Sequence, residues 1–126
     1  MLFLSLVHTA ASGNDVLSLA IDPKNPQTLY AGFYGQGVLV NGNAGSRASN
    51  TGLADSYVRS LLVFPSELNV VFAGTSKGLF ISLDGGIKWT PAEAGSPSAE
   101  VFVLKADQLN PQTIYAAIRK GVWAYR

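Results

Sequence analysis

No cysteine occurs among the 126 residues, which removes disulfides, thiolate metal sites and thiol nucleophiles together. That lack does not fix a compartment, because a cysteine-free fold works in an oxidising or a reducing one. Histidine is represented only by His8, and one imidazole cannot build a zinc site or a His-paired triad. Charge is scarce as well: Asp, Glu, Lys and Arg make up 13% of the chain, about half the usual share. A net charge of +1 gives no long-range field to attract nucleic acid, an anionic membrane or a polyanionic substrate. The basic residues are dispersed, with Arg119-Lys120 the only adjacent pair, so nucleic acid is not an expected partner. No apolar run is long enough to cross a bilayer as a helix. The acidic residues show no calcium-loop spacing, and no metal or cofactor is expected.

What the chain does have is apolar content and a repeat. Hydrophobic residues are 48% of the total, ample for a packed core, and the sparse charge leaves neutral surface of which part reads as interface. Three segments align, beginning at Val16, Val58 and Val101. Tyr30 lies 42 residues before Phe72, and Phe72 lies 43 before Tyr115. Gly37, Gly78 and Gly121 keep step at spacings of 41 and 43. The tetrapeptide Asn-Pro-Gln-Thr recurs verbatim at 25–28 and 110–113. A period in this range points to a repeat architecture.

Each repeat divides alike. Runs rich in Val, Leu and Ile at 16–21, 58–64 and 101–106 read as first strands. A turn containing Pro and Asn follows, then a second run at 28–33, 70–75 and 113–118 carrying the aromatic and small residues. A short hairpin ending in Gly leads to a third run at 38–40, 79–81 and 122–125. No stretch shows a capped 3.6-residue stripe, so no helix is expected. Short strands at this period match the blades of an all-β propeller. The division is a closing strand and linker at 1–15, then repeats at 16–57, 58–100 and 101–126, the last lacking an outer strand. Met1–Val7 followed by small residues has the outline of a signal peptide but no basic flank, and reads instead as a strand.

The second repeat contains Ser82-Leu-Asp84-Gly-Gly86-Ile-Lys-Trp89. The Ser and Asp oxygens can accept hydrogen bonds from turn amides, Gly86 permits a tight backbone, and Trp89 can bury its ring. Asn41–Ala48 is a worn copy in the first repeat, with Asn for Ser and Asp and Ala for Trp. These residues resemble the BNR/Asp-box propeller superfamily, which includes sialidases, sortilin-type receptors, oligoxyloglucan-type glycoside hydrolases and photosystem II assembly factors. The resemblance covers about residues 16–126. It implies a turn-holding role for Ser82, Asp84, Gly86 and Trp89, because boxes in that superfamily lie away from the active face. Its extracytoplasmic leaning is the sole pointer to a compartment.

In such propellers ligands meet the face bearing the second-to-third-strand hairpins and the connections between blades. The resemblance therefore nominates Tyr34, Gln36, Tyr57, Arg59, Lys77 and Arg119 as binding residues. No catalytic residue is assigned. Glycosidases set two carboxyl groups against the scissile bond, whereas none of the three hairpins carries one, and the connections offer only Asp15, Asp55 and Glu100. Arg59 stands where the other repeats have Leu17 and Phe102, and reads either as a channel residue or as an exposed partner of Asp55. The expected function is a non-catalytic binding or assembly scaffold recognising a protein or a glycan. The alternative is a fragment or half-propeller of a BNR-type glycoside hydrolase, sialidase- or xyloglucanase-like. Three blades cannot close a ring. Leu2–Val7 is expected to complete the blade at 101–126 of a second copy, giving a homodimer with six blades and twofold symmetry.

Overall fold

The computed structural model describes residues 15–42, 45–53, 57–67, 69–92 and 99–126. The strand proposed at Leu2–Val7, the carboxylate of Asp55 and the middle of the worn box fall outside them. Among the described residues, eleven strands form three antiparallel sheets and no helix occurs. Blade 1 has the order β1 (Val16–Asp22), β2 (Asn25–Phe33), β3 (Gly37–Gly42), β4 (Gly45–Ala48). Blade 2 repeats it with β5 (Val58–Val63), β6 (Val71–Thr75), β7 (Gly78–Ser82) and β8 (Thr90–Pro91). Blade 3 comprises β9 (Val101–Ala106), β10 (Ile114–Ile118) and β11 (Gly121–Tyr125). The first strands lie side by side, β1 against β5 and β5 against β9, so the sheets fan outward from a common inner edge.

The register is the same in each blade. Leu19 pairs with Ala31, Leu61 with Ala73 and Leu104 with Ala116. Because side chains alternate across a strand, each sheet has a leading and a trailing face. The trailing face of blade 1, with Tyr30, Val38 and Val40, packs on the leading face of blade 2, with Leu61, Val63, Val71 and Phe80. Blade 2 in turn packs Phe72, Leu79 and Ile81 against Val101, Leu104, Ile114 and Ala116 of blade 3. Two glycines make the joints close. A Cβ at Gly32 would stand 2.8 Å from Val58 Cγ1, and one at Gly74 would stand 2.7 Å from Val101 Cγ1.

Identical sequence does not give identical backbone. Asn25–Thr28 belongs to β2, reached from Asp22 through a two-residue turn in which the Lys24 amide donates to Asp22 Oδ1 at 2.9 Å. In blade 3 the same tetrapeptide precedes β10, and the Thr113 amide donates back to the Asn110 carbonyl at 2.9 Å. Pro23 is the difference: it presets a tight turn where blade 3 has Gln108 and a wider loop capped by Asp107. The worn box also departs from its expected form, since Gly45–Ala48 is strand β4 itself. With Asn in place of Ser and Asp, this segment turns through Gly42 and Gly45 and pairs back on β3.

Candidate functional site

The upper edge of the three sheets carries the β2–β3, β6–β7 and β10–β11 hairpins and the starts of β1, β5 and β9. Tyr34 extends β2 by one residue, where its amide donates to the Asp15 carbonyl at 2.8 Å. It also forms an isolated antiparallel bridge with Tyr57, the residue before β5. That bridge crosses the joint between blades 1 and 2 and sets the two rings 4.7 Å apart at 57°. Both rings remain open to solvent, 52% and 38% exposed, on an otherwise well-pinned frame. Asn50 holds the first hairpin: its Oδ1 accepts from the Val38 amide at 2.8 Å and its Nδ2 donates to the Gln36 carbonyl at 3.1 Å. Fully buried Thr75 holds the second, donating to the Gly78 carbonyl at 2.8 Å and accepting from the Lys77 amide at 3.1 Å. The Ser76 amide donates to the Tyr57 carbonyl, placing Lys77 on the hairpin beside the tyrosines.

Asp55 lies outside the described residues, while Arg59 gains a partner that neither sequence expectation named. Its Nε pairs with Glu100 Oε2 across the joint between blades 2 and 3. The guanidinium lies 5.7 Å from the Phe102 ring centroid. Arg59 thus clamps β5 to the approach of β9 through one ion pair and one cation–π contact, and Glu100 is occupied by it. Arg119 sits exposed on the β10–β11 hairpin. The structure therefore brings Tyr34, Tyr57 and the Lys77 hairpin together at one joint, and Arg59 with Glu100 at the next.

On the lower edge, Ser82–Trp89 links β7 to β8. Ser82, fully buried at the end of β7, donates to Asp84 Oδ1 at 2.7 Å and accepts from the Gly86 amide at 2.8 Å. Asp84 Oδ1 also accepts from the Lys88 amide at 3.0 Å. These bonds hold the Asp84 carboxyl below its ordinary value, the Lys88 amide contributing most and the Ser82 hydroxyl next. Gly85 and Gly86 take φ of 71° and 91°, where a side chain would be strained. Trp89 is 1% exposed, and its Nε1 donates to the Ser49 carbonyl at 2.8 Å. Its backbone amide donates to the Thr51 carbonyl. The turn is thereby seated on 49–51 of blade 1, a segment without a signal in the sequence because its Ser49 is not repeated at the matching place in blade 2, which holds Ala92.

Beside this turn lies a cavity of about 380 Å³ between blades 1 and 2, lined by Asp22, Tyr30, Arg47, Asn69 and Asp84 among others. Tyr30 Oη and Arg47 Nη2 both donate to the Gly85 carbonyl, at 3.3 and 3.2 Å. Burial raises the Tyr30 phenol above its ordinary value, with Asp22 adding to the rise and Arg47 opposing it. Asp22, Tyr30, Arg47 and Asp84 are all bonded to the protein's own turns here, so this cavity reads as a seam between blades and the upper edge as the candidate site. Among the described residues, no three His, Asp or Glu side chains come together in a group able to hold a metal ion. No helix among them is long and apolar enough to cross a membrane.

The sequence matches no protein-family model and no curated protein. Solved structures do match. An ancestral GH74 enzyme superposes with a TM-score of 0.75 at 24% identity, over 84% of this chain and 14% of that one. The extracellular domain of a hybrid two component system from B. thetaiotaomicron gives 0.64 at 21% identity, over 88% and 15%. The GH74 xyloglucanase from Xanthomonas campestris gives 0.61 at 17% identity, over 95% and 18%. The chain spans less than a fifth of the length of each. At this identity the likeness concerns the fold: the three sheets are β-propeller blades.

Proposed function

We propose that this chain is a non-catalytic binding module of the Asp-box propeller type that recognises a neutral oligosaccharide on its upper edge. The observation that carries the reading is the exposed Tyr34–Tyr57 pair straddling the joint of blades 1 and 2. Two tilted rings offer an apolar platform to the CH face of a pyranose, and Gln36 and Lys77 on the flanking hairpins supply donors to its hydroxyls. Sparse charge favours a neutral ligand over an acidic one. Of the carboxylates described on this edge, Asp15 precedes β1 and Glu100 precedes β9, with β5 between them, and Glu100 is paired with Arg59. That is not the facing pair glycoside hydrolysis requires. In the same reading, two copies complete one ring.

A second reading is a portion of a glycoside hydrolase whose catalytic carboxylates lie in other blades. Its support is the likeness in fold to GH74 enzymes, one of them a xyloglucanase, of which this chain spans a small part. Calorimetric titration with xyloglucan oligosaccharides tests both. Binding that weakens about tenfold in Tyr34→Ala or Tyr57→Ala, without release of reducing ends, supports the binding module. Unchanged affinity in the double variant refutes the tyrosine platform, and turnover by the wild-type chain refutes the non-catalytic reading.

A further inference from the structure

Each blade joint buries one leading and one trailing face, and among the described residues one of each stays exposed. On blade 1 the leading face presents Val16, Leu19 and Ile21, which are 50%, 62% and 53% exposed. Their counterparts Val58, Leu61, Val63 and Val101, Leu104 are buried in the two joints. On blade 3 the trailing face presents Val103, Ala117 and Val122, and Val122 is 69% exposed where Leu79 of blade 2 is buried. By register these surfaces match the two sides of the joint that the chain forms twice within itself, though not residue for residue.

From this we infer that the leading face of blade 1 in one copy docks on the trailing face of blade 3 in a second copy, head to tail, and that both such contacts form at once about a twofold axis. The inference rests on the reading that two copies complete a ring, and is independent of any ligand. A face about six residues long covers on the order of 400 Å² across the four strands of blade 1 and on the order of 300 Å² across the three of blade 3. Two faces per copy give on the order of 700 Å², close to the roughly 800 Å² per partner of a standard stable interface.

The joint between copies is not a replica of the inner ones. Ser18 and Gly32 of blade 1, and Ser60 and Gly74 of blade 2, leave room for the first valine of the following blade. Blade 3 has Val103 and Ala117 at those positions. Because a Cβ in place of either inner glycine would stand within 2.8 Å of the next valine, the Ala117 methyl cannot accept Val16 of the partner copy in the same seat. The contact between copies therefore stands wider at its inner edge and is the weakest joint of the ring, and it must also accommodate Lys105, which the strand register puts on the same trailing face opposite Tyr115.

Mass measurement by light scattering on the 126-residue chain, with Leu19→Asp and Val122→Asp, tests this. Both substitutions fall at exposed positions, and circular dichroism checks that each variant keeps its β-sheet signal. The wild type is expected as a dimer and each variant as a monomer. An equimolar mixture of the two variants is expected to regain dimer, because one unmodified joint survives in that pair. Ala117→Gly is expected to tighten the dimer about tenfold by admitting Val16. A monomeric wild type overturns the two-copy ring itself. A wild-type dimer whose variants fail to complement, or remain dimeric separately, overturns the head-to-tail contact alone. An unchanged dimer affinity in Ala117→Gly overturns the placement of Val16 on Ala117.

Discussion

Replacing Gly74 with alanine puts a single methyl group into the joint of blades 2 and 3. The added Cβ would stand 2.7 Å from Val101 Cγ1 and 3.2 Å from Val101 Cβ, with Ser60 Oγ closer still. Comfortable carbon contacts lie at about 3.5–4.0 Å, so roughly 1 Å of separation has to be found. The Ser60 hydroxyl can rotate away. Val101 cannot: it is fully buried, and its branched side chain has few alternative rotamers. The movement therefore falls on β9 and on the packing of Leu104, Ile114 and Ala116 behind it. Overpacking of this kind costs about 1–3 kcal/mol, and removing a flexible glycine returns about 0.5–1 kcal/mol. The net loss is about 1–2 kcal/mol, a fall in Tm of about 4–8 °C at this chain length. Urea and thermal unfolding followed by circular dichroism at one fixed protein concentration would measure it. Val101→Ala supplies the control: it opens a cavity in the wild type, but in the Gly74→Ala background it removes the Cγ1 clash and leaves only the 3.2 Å approach to Cβ. The double variant should then be more stable than additivity predicts by about 1 kcal/mol or more. A neutral or stabilising Gly74→Ala, or effects that add within about 0.5 kcal/mol, would refute the close approach of the two blades.

Two further predictions concern pH. Asp84 has its folded-state pKa lowered, so its contribution to stability is present above the ordinary aspartate range and is lost as pH falls from that range through the lower folded value. Acid titrations of Tm should show a shallower decline in Asp84→Asn than in the wild type, and identical slopes would show that the turn does not depend on the ionised carboxylate. Tyr30 is the opposite case: its pKa is raised, so the neutral phenol stabilises the fold below pH about 10 and that contribution is lost as pH rises through the folded value. Tyr30→Phe should lose the hydrogen bond to the Gly85 carbonyl at neutral pH yet flatten the alkaline loss of stability, and an unchanged alkaline limb would refute this assignment.

The blades are legible in the sequence because their determinants recur. Tyr30, Phe72 and Tyr115 mark the same strand position three times, and Gly32 and Gly74 mark the same tight contact twice. What does not recur is harder to read. Asn-Pro-Gln-Thr occurs twice and takes two conformations, since the turn before it is set by Pro23 in one blade and by an Asp107-capped loop in the other. Ser49 and Asn50 occur once, in a stretch that looks like linker, and gain their roles only from neighbours brought by the fold: Trp89 and the Gln36 hairpin. The candidate site has the same character. Tyr34 and Tyr57 stand out singly as aromatics near turns, but their contact exists only because one joint closes between them. Arg59 and Glu100, 41 residues apart, carry no sequence signal of pairing.

The seating of Trp89 on Ser49 bears on the order in which the chain comes apart. A residue of blade 2 is shielded by the outer margin of blade 1, so neither blade can open at that margin without disturbing the other. Blades 1 and 2 should exchange their amides as one cooperative unit. Blade 3 is tied to blade 2 by apolar packing and the Arg59–Glu100 pair, and Trp123 on its last strand is already 47% exposed. The two tryptophans therefore report separate events: Trp123 senses the fraying of blade 3, and Trp89 registers the later parting of the first two blades.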